Sequence, residues 1–425
     1  MIASERERAK RKRRKFSTFL IVTLVILASV NKHLRNSAKV TKELSCKQIP
    51  EEVIYECKDR KITLKRMMAK KPNNDIGHTC KMGQFDVPRD ISIRSSGTVP
   101  NFFLAYSKII NSKVNYANNG KGFVYEPTIT NLMSLLINEE PCDHLSISLD
   151  IGGNIGWYTG FFTALGCQVV SVEAQGYATV LLNSTIKASH IDKSTCNDVW
   201  HRAVAGDSLG FVRMLGNTEG HGNAHSIGGG ESRLPIVLVK GSTIHDIVQN
   251  SYICKHILQF SAVRVAMVKI DIEGSEIYAL KSIIDLISTG NFKFTNIFVE
   301  LSSPSIWLER SGHNLDEALE VFHSYFGLGF CLRKVIYSDC CKSVFKKKVD
   351  KECCKNTSSR MWPNWNSFND VPNDLLGDVF LSTNSMKKYY ENPSMRSNMT
   401  SKDPLGGDFF LSIGRVCKLG NFVEA

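Results

Sequence analysis

The chain has 425 residues, 43% hydrophobic and 22% charged, with 30 glycines and 12 prolines. That is globular composition, and it excludes collagen-like, low-complexity and disordered classes. The net charge of +12 sits almost wholly in residues 1–47, which hold 13 basic and 3 acidic side chains. The nearly neutral remainder excludes a broad basic face for nucleic acid.

Residues 1–15 are a basic tail, and FSTFLIVTLVILASV (16–30) follows without a charge. Eight basic residues ahead of 15 uncharged ones read as a signal-anchor transmembrane helix with a cytosolic N-terminus. The run spans roughly 22 Å against a hydrocarbon core of roughly 30 Å, and Lys15 and Lys32 can snorkel to cover part of the difference. A cleaved signal peptide also fits the run, and KRKRRK alone would fit a nuclear tract. The long basic leader, the lack of a clean small-x-small site and the adjacent apolar run set both behind the anchor. The expectation is a single-pass type II protein of the endoplasmic reticulum or Golgi, its body luminal. There its 13 cysteines are allowed to pair. Sequons at Asn183, Asn356 and Asn398 are compatible with this and decide nothing.

Residues 31–95 lack sustained periodicity and read as a stem or N-terminal cap. Residues 96–382 read as the main domain. Over 122–300, short apolar runs alternate with helically spaced segments, the pattern of a doubly wound, mostly parallel α/β sheet. Four runs end in charge: SISL at Asp150, QVVSV at Glu173, VRVAMV at Lys269 and Asp271, and NIFV at Glu300. Interior parallel strands need apolar middles, so these charges mark the carboxyl edge, where ligands bind in such sheets.

Residues 215–233 hold six glycines and read as a loop; His221 and His225 within it lack convincing partners, so no metal is expected. Cys340-Cys341 and Cys353-Cys354 read as structural disulfides, because zinc sites do not use adjacent pairs. DLLGDVFLS (374–382) nearly repeats as PLGGDFFLS (404–412), and two such strands predict an antiparallel edge pair. Residues 383–425 are accordingly expected as a C-terminal extension with an extra edge strand.

The sharpest signal is LDIGGNIGWYTGFF (149–162), a strand ending in Asp150, a turn with Gly152, Gly153 and Gly156, then a helix. Glycines permit close backbone approach, and the helix start offers free N–H groups. Asn154 stands where a dinucleotide fingerprint needs its second glycine. A carboxylate beside the turn repels a pyrophosphate but suits the cationic end of S-adenosylmethionine. Glu173 ends the next strand, where an acid accepts bonds from ribose hydroxyls.

With YEPT, VEA, HRAVAGD, KIDIEGSEIYAL and IFVELS at their positions, the chain resembles the FkbM-type family of S-adenosylmethionine-dependent methyltransferases. The resemblance covers roughly 122–300. It implies a seven-stranded, Rossmann-like methyltransferase sheet and methylation of a hydroxyl on a sugar, polyketide or related acceptor. Its implied cofactor residues are Asp150, Gly152, Asn154, Gly156, Glu173 and Ala203. Two departures stand out: Ala174 replaces the usual Pro, and His245 replaces an acid in Thr243-Ile244-His245-Asp246.

Methyl transfer to an alcohol needs alignment and removal of a proton. Asp271 is the first candidate base, with Glu273 and His245 behind it. The competing reading pairs Lys269 with one of these acids in a structural ion pair. Glu276 reads as a helix-opening acid, and Trp157 as packing. The expected function is a membrane-anchored methyltransferase acting on a glycan or small-molecule hydroxyl. The alternative is a non-catalytic binding module that keeps the fold; a nicotinamide-dependent reductase lacks its second glycine.

Overall fold

The computed structural model describes residues 54–57, 60–63, 80–82, 85–87, 91–96, 102–107, 125–189, 196–207, 210–215, 236–335, 376–380, 382–391 and 407–413. The run 16–30, the His221/His225 loop, the adjacent cysteine pairs, Asn356 and Asn398 lie outside them. No helix among the described residues is long and apolar enough to cross a membrane.

From residue 127 the chain forms α1 (Pro127–Glu139), β1 (Ser146–Ile151), α2 (Trp157–Ala164), β2 (Gln168–Glu173), α3 (Gly176–Ser189) and β3 (Asn197–His201). Next come β4 (Ala203–Val204), β5 (Phe211–Leu215), β6 (Ile236–Ser242), α4 (Ile244–Asn250), α5 (Tyr252–Leu258) and β7 (Val263–Ile270). Then follow α6 (Glu276–Ser288), β8 (Phe292–Phe294), β9 (Asn296–Leu301), α7 (Pro304–Ser311) and α8 (Leu315–Gly327). The last described elements are β10 (Phe330–Val335), β11 (Leu376–Phe380), α9 (Thr383–Glu391) and β12 (Gly407–Ile413).

The main sheet has the order β11-β10-β12-β9-β7-β1-β2-β3, with β8 also on β7. Strands β3, β2, β1, β7 and β9 run parallel. All six residues of β1 and of β2 are buried, and all of β7 except Arg264. This is the two-sided burial that apolar runs announce.

The sheet has nine strands, not the seven expected. One addition is β8, cut from β9 because Thr295 Oγ1 and Asn296 Nδ2 donate to the Ala266 carbonyl in place of ladder bonds. The other is β11 at the edge.

The two similar strands do not pair with each other. β12 lies inside the sheet, antiparallel to both β9 and β10, and β10 separates it from β11. Phe409 and Leu411 are buried there. A strand that the sequence offers as an edge is therefore interior, and residues 407–413 belong to the main sheet. The N-terminal boundary shifts as well: Ile91–Ser95 pairs with Phe103–Ser107 in a hairpin that spans the expected break at 95. Ala105 N–H then donates to Thr185 Oγ1 on α3 at 2.9 Å, docking the hairpin on the domain.

Cys142, ahead of β1, is bonded to Cys167, ahead of β2, across 25 residues. Cys196 and Cys331 are also disulfide-bonded. The Cys142–Cys167 bridge sits at the amino edge of the parallel strands, away from the ligand edge. Chain-entropy arithmetic for a loop of that length gives about 3.5 kcal/mol. Cys142→Ser should lower unfolding free energy by up to that amount in a denaturant titration while leaving ligand affinity of the folded protein unchanged.

Candidate active site

The site forms where β1, β2 and β7 end. Gly152 and Gly153 donate their N–H groups to the Val172 carbonyl at 2.8 and 3.0 Å, folding the loop back over β2. Gly152 has φ +88°, and a Cβ there would lie 1.8 Å from the Asp271 carbonyl oxygen. Only glycine lets the loop after β1 lie against the exit of β7. Asn154 takes φ +47°, a left-handed conformation that Asn tolerates. Its N–H donates to Glu173 Oε2 at 2.7 Å, and Gln175 N–H donates to Oε1 at 2.6 Å. Glu173 is thus fixed by two backbone amides.

Asp150, Glu173 and Glu276 are all at most 5% exposed. Burial raises their carboxyls, Asp150 to about 6 and both glutamates to about 7, against hydrogen bonds that lower them. Asp150 Oδ2 accepts from the Thr159 N–H at 2.8 Å and from its hydroxyl. It is turned into α2, braces the loop from behind and does not line the cleft. Gly156 does not line it either. At φ +89° a Cβ there would lie 3.2 Å from Leu182 Cα, so this glycine seats α2 on α3. Glu276 accepts from Gly274 N–H (2.6 Å), the Ser302 hydroxyl (3.2 Å) and the Trp307 indole (3.0 Å). It ties the turn after β7 to α7, which is more than a helix-opening role.

An open cleft lies over these loops, with Gly152, Asn154, Glu173 and Asp271 on its polar side. Val172, Ala203, Val204, Val212 and Met214 form an apolar wall. Ala203 and Val204 form β4, which pairs parallel to β6, while β5 supplies Val212 and Met214. Glu173 and Asp271 flank the glycine loop, since β2 and β7 are the two neighbours of β1.

Asp271 donates its N–H to the Ile151 carbonyl at 2.9 Å. Asp271 lines the cleft, and among the described residues its carboxylate holds no hydrogen bond or ion pair. Lys269 pairs elsewhere: its Nζ lies 3.7 Å from Glu126 Oε2 and 3.9 Å from Glu300 Oε2. Glu126, Asp271 and Glu300 each bring one oxygen within 4.8 Å of the others.

Glu273 lines the cleft but is engaged. It turns at φ +52°, its carboxylate is 3.5 Å from Arg310 Nη1, and that nitrogen donates to its carbonyl at 2.7 Å. His245 is not at the cleft. It is the second residue of α4, its N–H donates to Ser282 Oγ on α6 at 2.6 Å, and its ring faces Asp246. Thr243 caps α4 by accepting from Asp246 N–H at 3.0 Å, so Thr-Ile-His-Asp is a helix start. Glu126, part of YEPT, was given no role by the sequence. Its signal was Pro127 at the first position of α1, which makes Glu126 the cap residue, here left-handed at φ +42°. Val212 and Met214 carry no motif and were not foreseeable.

No protein-family model matches the chain, and no curated protein resembles it at a significant level. Among solved structures, an O-methyltransferase from Bacillus cereus crystallised in complex with SAH aligns at 11% identity and a TM-score of 0.27. The alignment covers 71% of this chain and 88% of that one. So slight a likeness carries no functional inference.

The buried acids make a testable demand on the ligand-free fold. Their folded pKa values lie above the unfolded ones, so the folded state binds more protons and stability is lost as pH rises through the shifted range. The thermal midpoint should therefore be higher at about pH 5 than at about pH 7. A midpoint that falls steadily from about pH 7 down to about pH 5 contradicts the burial argument.

Proposed function

We propose that the chain is an S-adenosylmethionine-dependent methyltransferase that methylates a hydroxyl. The observation that carries the reading is a cleft with an amide-fixed carboxylate, Glu173, on one side of the glycine turn and an unclaimed carboxylate, Asp271, on the other.

The residues present fit the cofactor. Each Glu173 oxygen receives one backbone N–H, and a carboxylate oxygen accepts more than one, which leaves capacity for two ribose hydroxyls. The wall of Val172, Ala203, Val204, Val212 and Met214 suits a flat heterocycle. Gly152 and Asn154 present a loop without bulk. The cofactor, when bound, supplies an electrophilic methyl group on a sulfonium. The chain's part is to orient the acceptor, exclude water and hold the acceptor proton. Asp271 takes that proton on a carboxylate oxygen, because Glu273 is bound to Arg310 and His245 is away from the cleft. The His245 departure therefore does not favour a non-catalytic module.

We further propose that the body is luminal, anchored by residues 16–30, and acts on a glycan or small-molecule hydroxyl. Disulfides at Cys142–Cys167, Cys196 and Cys331 support an oxidising compartment. Asn183 lies buried in α3, where its amide donates to the Thr179 carbonyl, so the folded protein should carry no glycan there. In sealed microsomes the body should resist added protease; digestion without detergent rejects the topology.

The activity is tested by incubating the full chain in detergent with methyl-labelled cofactor and a glycan panel, followed by mass analysis. Glu173→Ala should weaken S-adenosylmethionine binding by about 1.5–3 kcal/mol, measured by calorimetry. Asp271→Asn should keep that affinity and lower single-turnover transfer by roughly 10²–10⁴-fold. Unchanged affinity in folded Glu173→Ala rejects the ribose assignment, and near-normal transfer by Asp271→Asn rejects the base.

A further inference from the structure

Lys269 is 1% exposed, on β7 between β1 and β9. Burying an ammonium is costly unless acids compensate it. Charged and titratable groups face it from each surrounding element. Asp150 is its register partner on β1. Tyr125 and Glu126 precede α1, Glu300 lies near the end of β9, and Asp271 follows on its own strand's exit. Tyr158 on α2 presents its ring 5.5 Å from Nζ and donates its hydroxyl to Glu126 Oε2. The three elements that carry Glu126, Asp271 and Glu300 share no local sequence, yet their oxygens converge within 4.8 Å. Three acids that close repel one another strongly in a partly buried place.

We infer that Lys269 is a positioning residue whose ammonium gathers Glu126 and Glu300 beside Asp271, behind the cleft lining, and thereby leaves Asp271 as the acid that faces the acceptor. This rests on the reading of Asp271 as the proton acceptor. The two glutamates reach the ammonium from different elements, Glu126 from the residue before α1 and Glu300 from β9. They absorb its charge, and Asp271, two residues further on, is the carboxylate left over.

The test uses the full chain in detergent and thermal midpoints from pH 5 to pH 8. In Lys269→Met the clustered acids lose their cation and repel one another wherever they are charged. The destabilisation relative to wild type should therefore be small at the acidic end and grow as pH rises. Removing the stranded charges, in Lys269→Met/Glu126→Gln/Glu300→Gln, should restore most of the loss at pH 8. Lys269→Arg, which keeps the charge, should show no pH-dependent deficit. If Lys269→Met does not accumulate, the triple variant and Lys269→Arg decide. A deficit equal at all pH values, or a triple variant no more stable than the single one, reduces Lys269 to packing and overturns the inference. So does a rise in the wild-type midpoint with millimolar Mg²⁺ or Mn²⁺ that Glu300→Gln abolishes, since the acids would then serve a metal. Calorimetry of S-adenosylmethionine on the wild-type chain runs alongside. Absent binding rejects the functional reading without touching the pH comparison, so the two failures are distinguishable.

Discussion

The contact of Gly152 with the carbonyl of Asp271 is the constraint on which the site depends. A side chain at 152 would need to stand 1.8 Å from that oxygen, inside any permitted contact distance. With glycine, the loop after β1 and the exit of β7 share one wall, and the Asp271 N–H reaches the Ile151 carbonyl. The same loop places Asn154 N–H on Glu173. One absent Cβ thus sets the spacing of both carboxylates that the proposed chemistry needs.

Around that contact the fold concentrates acids and then neutralises most of them locally. Asp150 is held by Thr159, Glu173 by two amides, Glu276 by an amide, a hydroxyl and an indole, and Glu273 by Arg310. Hydrogen bonds to a carboxylate offset the cost of burying it, and unshared capacity is what a ligand can use. Asp271 keeps the most, which is a statement about its neighbours rather than about Asp271 itself.

Much of this was legible in the sequence where one physical rule acted alone. Apolar runs that end in charge located β1, β2, β7 and β9, because two-sided burial leaves no other composition for an interior strand. The glycine turn and Glu173 were legible for the same reason: few residues tolerate those dihedrals or that edge. What escaped involved rules in competition. Glu273, two residues after Asp271, was a candidate base, but its left-handed backbone and Arg310 engage it elsewhere. Thr243-Ile244-His245-Asp246 could be read as chemistry or as a cap, and the hydrogen bond to Thr243 decides for the cap. Asp150 had two directions open to it, and Thr159, nine residues on, offered the stronger partner.

The internal place of β12 carries the argument furthest from local sequence. The short apolar run in GDFFLS describes a strand without fixing its place in the sheet, and only the pairing of both its sides does so. Those pairings put Asp408 opposite Glu300 and Phe410 opposite Phe298, while Phe298 is also the register partner of Lys269. The strand that flanks Lys269 is therefore itself held in register by residues more than a hundred positions away. Glu300 reaches Lys269 from the last residues of β9, a strand held in register by β7 on one side and along its whole length by β12 on the other. The acid-lined side of the cleft is a long-range product of sheet order, which is why the four charged strand ends pointed to it without revealing which acid would be left unpaired.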